Sequence, residues 1–231
     1  MSYRPFTFSR LLRRGPHHAW EWFRRLYSLV RHLALGDARP LARLAGQLYG
    51  RRIALVGNAQ SLLNTQFGSQ IDSMDLVVRM NHGVILKPMC QGFRTDVLAM
   101  SCRMPESDLV RQFDPPTIVW VSPRWWYIQP YSRAVMRRVF FYPRRDSERL
   151  SRAKLDGKRP STGFMMTQLL LQLGAGEVHL FGFDFGSTPT FYNAPDYLTP
   201  HDYAAEARHL LAQASAGSLT IHFSNRLVEA G

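Results

Sequence analysis

From residue 51 onward the chain alternates short, nearly unbroken apolar runs with longer segments of mixed character. The runs fall at 53–56, 76–80, 95–100, 117–121, 139–142, 178–181 and 219–223. A half-exposed strand alternates apolar and polar residues, so unbroken runs predict a parallel sheet covered on both faces. Between the later runs, 164–173 and 201–214 have helical spacing, which gives a strand-helix-strand rhythm. The expected fold is α/β: a Rossmann-like, mostly parallel sheet with helices on both faces, in one domain over residues 51–231. Ligands of such sheets sit at the carboxyl ends of the strands. Gly57-Asn58, Asn81 and the turn Gly182-Phe-Asp184 all fall at that edge.

Residues 1–50 differ in composition, with many arginines set among aromatic and aliphatic residues. Apolar positions 23, 26, 27, 30 and 33 follow helical spacing, and the arginines fall largely elsewhere on the wheel. One reading is a basic amphipathic helix lying on an anionic membrane surface. The other is a helix packed on the core with its basic face in solvent. The most apolar stretch here, 29–35, is interrupted by Arg31 and His32, so neither a cleaved signal nor a transmembrane anchor is expected.

With 231 residues the chain is long enough for one substantial core. Its formal charge of +12 favours acidic partners: nucleotides, anionic sugars, nucleic acid or anionic lipid headgroups. Many basic residues lie in the N-terminal region, away from the ligand-binding turns, and no recognition motif is apparent, so nucleic acid is not an expected partner. Cys90 and Cys102 are the only cysteines and have no metal-knuckle spacing, which points to a reducing compartment.

Gly57-Asn58 ends the first strand but lacks the further glycines of a dinucleotide fingerprint and the Gly-Lys-Ser/Thr of a P-loop. An ordinary tight turn is the alternative, since both residues tolerate positive φ. Asn81, at the end of the second strand, offers donor and acceptor together and suits a sugar or pyrimidine edge, or simply caps a loop. Ser161-Thr162-Gly163 stand where a helix cap belongs, before the run at 164–173. A helix starting there aims free N–H groups and its positive end at an anion. No Asp-x-Asp is present, and Asp72, Asp75, Asp184 and Asp196 form no magnesium pattern, so neither a metal nor another cofactor is expected. His201 falls at or before a helix start, where the dipole favours the neutral imidazole a general base requires. Glu206, five residues on, either orients that imidazole or answers the dipole; a structural histidine is the alternative.

Together these residues resemble the family 29 glycosyltransferases, the sialyltransferases of animals and their bacterial relatives. Val56-Gly-Asn-Ala59, Ile71-Asp-Ser-Met-Asp-Leu-Val-Val-Arg-Met-Asn81 and Gly92-Phe-Arg-Thr95 are similar to the long sialyl motif. Pro160-Ser-Thr-Gly163 through Glu177-Val-His-Leu-Phe-Gly182 is similar to the short motif, and His201 and Glu206 match the very short one. Gly182-Phe-Asp-Phe185, followed by Tyr192, is similar to a stretch of the bacterial family 42 enzymes. The likeness spans most of residues 51–210.

The resemblance implies a metal-independent GT-A variant, an inverting transferase that moves sialic acid from CMP-sialic acid to the hydroxyl of a glycan or glycolipid. CMP-Kdo is the second candidate donor, and a catalytically inactive, membrane-associated CMP-binding protein is the other alternative. It casts Gly57, Asn58, Asn81, Ser161, Thr162 and Gly163 as donor-binding residues, His201 as the base and Tyr192 as a group on the departing phosphate. Two features depart from the animal pattern. The cysteine pair of the long and short motifs is missing, and the third motif's histidine gives way to the run Thr190-Phe191-Tyr192. The missing pair agrees with a cytoplasmic protein, in one reading peripheral on the cytoplasmic face of a bacterial inner membrane. Trp125-Trp126-Tyr127 is a candidate sugar-stacking surface.

Overall fold

The computed structural model of the chain describes residues 22–23, 26–27, 30, 41–123, 128–192 and 199–224. Seven strands form one sheet: β1 Arg52–Val56, β2 Leu76–Met80, β3 Val97–Met100, β4 Thr117–Trp120, β5 Val139–Phe141, β6 Glu177–Phe181 and β7 Thr220–His222. Every pairing is parallel, in the order β5-β4-β3-β2-β1-β6-β7. All seven apolar runs are therefore strands, and the sheet is the covered parallel one they predicted. The chain builds outward from β1 to β5 and then returns to the other side of β1 with β6. The loops after β1 and β6 meet at that reversal and, with the turns after β2 and β3, border the carboxyl edge where such sheets take ligands.

Five helices of seven residues or more accompany the sheet among the described residues: α1 Leu41–Leu48, α2 Glu106–Gln112, α3 Arg144–Lys154, α4 Thr162–Gln172 and α5 Tyr203–Ser215. Alternate residues of β1 divide between two cores. Ile53 and Leu55 pack with Leu44, Leu48, Phe164, Leu169 and Leu210, whereas Ala54 and Val56 pack with Leu62, Ile71, Val77 and Phe181. A third cluster around Leu98, Ile118, Trp120 and Val139 fills the β3-β4-β5 side. Burying each such aliphatic side chain contributes about 1.5–3 kcal/mol. Helix α4 is buried at every position from Thr162 to Leu170, so its start is fixed by core packing as well as by its cap.

Two elements differ in detail from the sequence pattern. Helix α5 starts at Tyr203, because the Asp202 side chain accepts the Ala205 N–H and caps it, leaving His201 in the preceding turn. In the N-terminal region, α1 sends Leu44 and Leu48 into the main core, while Phe23, Tyr27 and Val30 are each more than half exposed. Phe23 and Tyr27 stack with ring centroids 6.5 Å apart.

Arg79 sits in the middle of the sheet, 1 % exposed. Its guanidinium donates to the Arg94 carbonyl, Thr95 Oγ1 and the Gln91 carbonyl at 2.9, 3.1 and 2.7 Å, tying the stretch before β3 against β2. Burial lowers its pKa to about 10, so it remains charged at neutral pH.

Candidate active site at the crevice between β1 and β6

A cavity of about 640 Å³ opens at the carboxyl edge of the sheet and is lined by all nine residues singled out from the sequence: Gly57, Asn58, Asn81, Ser161, Thr162, Gly163, Tyr192, His201 and Glu206. Trp125-Trp126-Tyr127 lie outside the described residues.

The floor is set by close backbone approach. Gly57 donates its N–H to the Phe181 carbonyl at 2.7 Å, and a Cβ on Gly57 would stand 2.3 Å from the Gly182 carbonyl oxygen. Glycine is needed there for space; neither Gly57 nor Asn58 has positive φ. Gly163 is constrained similarly, since a Cβ would meet the Phe183 ring at 2.8 Å.

Asn58, largely buried, donates from Nδ2 to the Met80 carbonyl at 3.0 Å and to the Tyr192 hydroxyl at 3.4 Å. Asn81 holds a left-handed backbone at φ 52°, a conformation asparagine tolerates. Its side chain closes a ring of hydrogen bonds. Asn81 Nδ2 donates to Thr162 Oγ1 at 3.3 Å, Thr162 Oγ1 donates to Ser101 Oγ at 2.8 Å, and Ser101 Oγ donates back to Asn81 Oδ1 at 3.2 Å. That ring clamps the ends of β2 and β3 to the start of α4.

Tyr192 is carried to Asn58 by a loop with its own organising carboxylate. Asp184, 7 % exposed, accepts from Ser61 Oγ at 2.9 Å, Thr188 N at 3.0 Å, Gly186 N at 3.2 Å and Thr188 Oγ1. Ala59 and Thr190 then form an antiparallel bridge, and the Phe191 N–H donates to the Asn58 carbonyl at 3.0 Å. Burial pushes the Tyr192 phenol up to about 12, so it is a neutral hydroxyl able to donate a proton in a hydrogen bond.

The Ser161 cap forms as expected, its Oγ accepting the Phe164 N–H at 3.1 Å. The structure adds that Glu206, 3 % exposed, grips Ser161: its two oxygens accept the Ser161 N–H and the Ser161 hydroxyl, each at 2.6 Å. Those bonds fix the α4 cap; the His201 ring is held by a different group. Burial raises the Glu206 carboxyl to about 7 against the opposing pull of the Ser161 bonds.

His201 Nδ1 lies 3.0 Å from the Arg159 carbonyl. A carbonyl only accepts, so Nδ1 carries the proton and Nε2 is left as the basic nitrogen. Burial is the main cause of a pKa below the ordinary histidine value, with the Arg159 charge acting in the same direction.

Asp184, expected at this edge with the turn Gly182-Phe-Asp184, lines the cavity too, and Ser101, Cys102 and Arg159 join it without having been expected to form it. Ser101 directly follows β3 at the same edge as Asn81, a signal the strand pattern already contained. Arg159 adjoins the cap turn and is the one Arg or Lys among the cavity's described lining residues. Burial pushes the Cys102 thiol up to about 11, which keeps it protonated.

The chain is similar to sialyltransferases in part of its sequence and in its fold. The model of glycosyltransferase family 29 (sialyltransferase) matches residues 15–107. The match starts inside the N-terminal region and ends before the cap turn of α4. A search by sequence finds no match among curated proteins. A mammalian sialyltransferase in complex with Gal-beta-1-3GalNAc-ortho-nitrophenol is 22% identical over 92% of this chain and 82% of that chain, with a TM-score of 0.58. A second mammalian sialyltransferase structure is 19% identical over 95% of this chain and 99% of that chain, with a TM-score of 0.54. A variant of the Campylobacter jejuni sialyltransferase CST-II in complex with CMP is 12% identical over 74% of this chain and 80% of that chain, with a TM-score of 0.53. At these identities the shared feature is the fold.

Proposed function

We propose, from the partial family 29 match and the shared fold, that this chain is a sialyltransferase-like glycosyltransferase whose reaction is inverting transfer of sialic acid from CMP-sialic acid to a glycan hydroxyl. The carrying observation is the convergence, in one cavity, of a capped helix start, two asparagines, a neutral buried tyrosine and a histidine with a free basic nitrogen. Asn58 and the Gly57 turn receive the nucleotide. Ser161, the α4 N–H groups and the Arg159 charge face the phosphate and the sugar carboxylate. Tyr192 donates to the departing phosphate.

In the reacting step C2 of the sugar acquires oxocarbenium character as its bond to the phosphate oxygen breaks. His201 Nε2 takes the proton of the acceptor hydroxyl, and the new glycosidic bond forms on the opposite face. General-base assistance of this kind contributes about 10²- to 10⁴-fold in rate. Fixed donors at the leaving group add electrostatic stabilisation without reorganisation. CMP-Kdo remains the alternative donor, since it presents the same nucleotide and a similar acid. The mammalian neighbour holds a Gal-beta-1-3GalNAc compound and the CST-II variant holds CMP, which supports a CMP-linked donor and a glycan acceptor for this chain.

Calorimetric titration with CMP tests the donor half. Micromolar to millimolar binding that weakens in Asn58→Ala and Tyr192→Phe supports the assignment; absence of CMP binding contradicts it. For the N-terminal region we propose contact with an anionic membrane surface, supported by the exposed Phe23, Tyr27 and Val30. Co-sedimentation with phosphatidylglycerol vesicles that is lost on removing residues 1–40 supports this, and equal soluble fractions contradict it.

A further inference from the structure

Glu206 is an acid set where an anion has to bind. It lines the cavity, is 3 % exposed, and holds Ser161, the residue that begins the helix aimed at the proposed phosphate site. An ionised carboxylate here places a negative charge beside an anionic ligand in a poorly solvated crevice, and two like charges sharing such a site disfavour joint ionisation.

The hydrogen bonds show how a proton resolves the conflict. With Glu206 ionised, its oxygens can only accept, so the Ser161 hydroxyl hydrogen points at Glu206 while its oxygen accepts the Phe164 N–H. With Glu206 protonated, one oxygen still accepts the Ser161 N–H and the new O–H donates to Ser161 Oγ. That hydroxyl then accepts two bonds, from Glu206 and Phe164, and its own hydrogen is released toward the cavity.

We propose that binding of the anionic donor is coupled to uptake of one solvent proton by Glu206, which reverses the Glu206–Ser161 hydrogen bond and turns the Ser161 hydroxyl into a donor to the ligand. The inference rests on the donor reading of this cavity. Glu206 acts through Ser161 and is a positioning residue. The carboxyl's pKa near 7 puts the step within reach at physiological pH. Charged and titratable groups on the surrounding elements are Asp202 at the head of α5, paired with Lys158, together with His201, Arg159, Arg208, His209, Lys154 on α3 and His222 on β7. Asp202 is the one whose field joins burial in favouring the protonated acid.

The test is calorimetric titration with the methyl ester of CMP, a phosphodiester whose charge is constant from pH 6 to pH 9, in pairs of buffers differing in ionisation enthalpy. The expected result is uptake of a large fraction of a proton at pH 8 and a dissociation constant rising by up to about tenfold per pH unit above pH 7. Glu206→Gln is expected to bind with neither effect, while His201→Gln keeps both. Carbon-13 NMR of the Glu206 carboxyl, free and bound, gives a second readout in the unaltered protein: its titration is expected to move upward on binding. Ester binding with no proton uptake, uptake that persists in Glu206→Gln, or an unmoved carboxyl titration overturns the coupling and leaves the donor reading standing. No ester binding at any pH overturns the donor reading, and the coupling falls with it.

Discussion

Burial and the Arg159 charge hold His201 neutral, and the Arg159 carbonyl fixes which nitrogen is basic. Because the base must be unprotonated, the acidic limb of a kcat/KM profile is expected below pH 6.5, the unperturbed histidine value, with activity falling as pH drops through the lowered pKa. His201→Ala is expected to lower kcat by about 10²- to 10⁴-fold with little change in CMP affinity. An unchanged kcat removes the base. For Gly57 the sequence offered a ligand-binding turn or an ordinary tight turn at positive φ; its φ is not positive, and the close approach of the Gly182 carbonyl, which no local pattern encodes, is what requires glycine. Gly57→Ala should destabilise by about 1–3 kcal/mol through overpacking against Gly182, read from urea unfolding; an unchanged midpoint contradicts the close approach. The role of Glu206 was not legible. Its spacing from His201 suggested an imidazole partner or an answer to the helix dipole; it does stand in the first turn of α5, but its hydrogen-bond partner, Ser161, lies 45 positions away and no local pattern encodes that contact.

At the scale of elements, α4 joins stability to function. Its eleven residues are mostly buried, and its first turn faces the cavity through a cap made by Ser161. Ser161→Ala removes the cap, which costs about 1 kcal/mol, and leaves the Glu206 carboxyl short of its hydroxyl partner. Melting is therefore expected to fall and CMP binding to weaken together; loss of one without the other contradicts the shared role. The cap was legible because serine ahead of an apolar run is a local signal. The ring of Asn81, Thr162 and Ser101 was not, since it joins the ends of β2 and β3 to α4 and exists only once the sheet has formed. The loop carrying Tyr192 is similar: Asp184 stood in a recognised stretch, yet its bonds to Ser61 and Thr188 depend on β6 lying beside β1.

For the whole molecule the strand pattern was legible almost completely, because burial on both faces writes each strand as an unbroken apolar run. Strand order was not, since apolar runs carry no information about neighbours. The order places the reversal among the described strands between β1 and β6, so that the turns after both strands meet at the cavity. A buried group and a half-buried one give overall stability opposite pH slopes. Glu206, raised from 4.5 to about 7, binds more protons folded than unfolded, so its contribution is complete below pH 4.5 and is lost as pH rises toward 7. His222, lowered from 6.5 to about 4 by burial and by His179, contributes above pH 6.5 and is lost as pH falls toward 4. Glu206→Gln is expected to flatten the alkaline-side decline, which amounts to roughly 3 kcal/mol at most; denaturation midpoints from pH 5 to pH 8 that keep the wild-type slope contradict this.

The central claim is that this cavity moves an acidic sugar from a CMP ester to a glycan. Its most direct test is mass-spectrometric detection of products after incubating the full chain with CMP-sialic acid, or separately with CMP-Kdo, and a panel of glycan acceptors. The account predicts released CMP together with an acceptor heavier by one sialyl residue, both lost in His201→Ala. Neither CMP nor a heavier acceptor from either donor, in a folded chain, would contradict it.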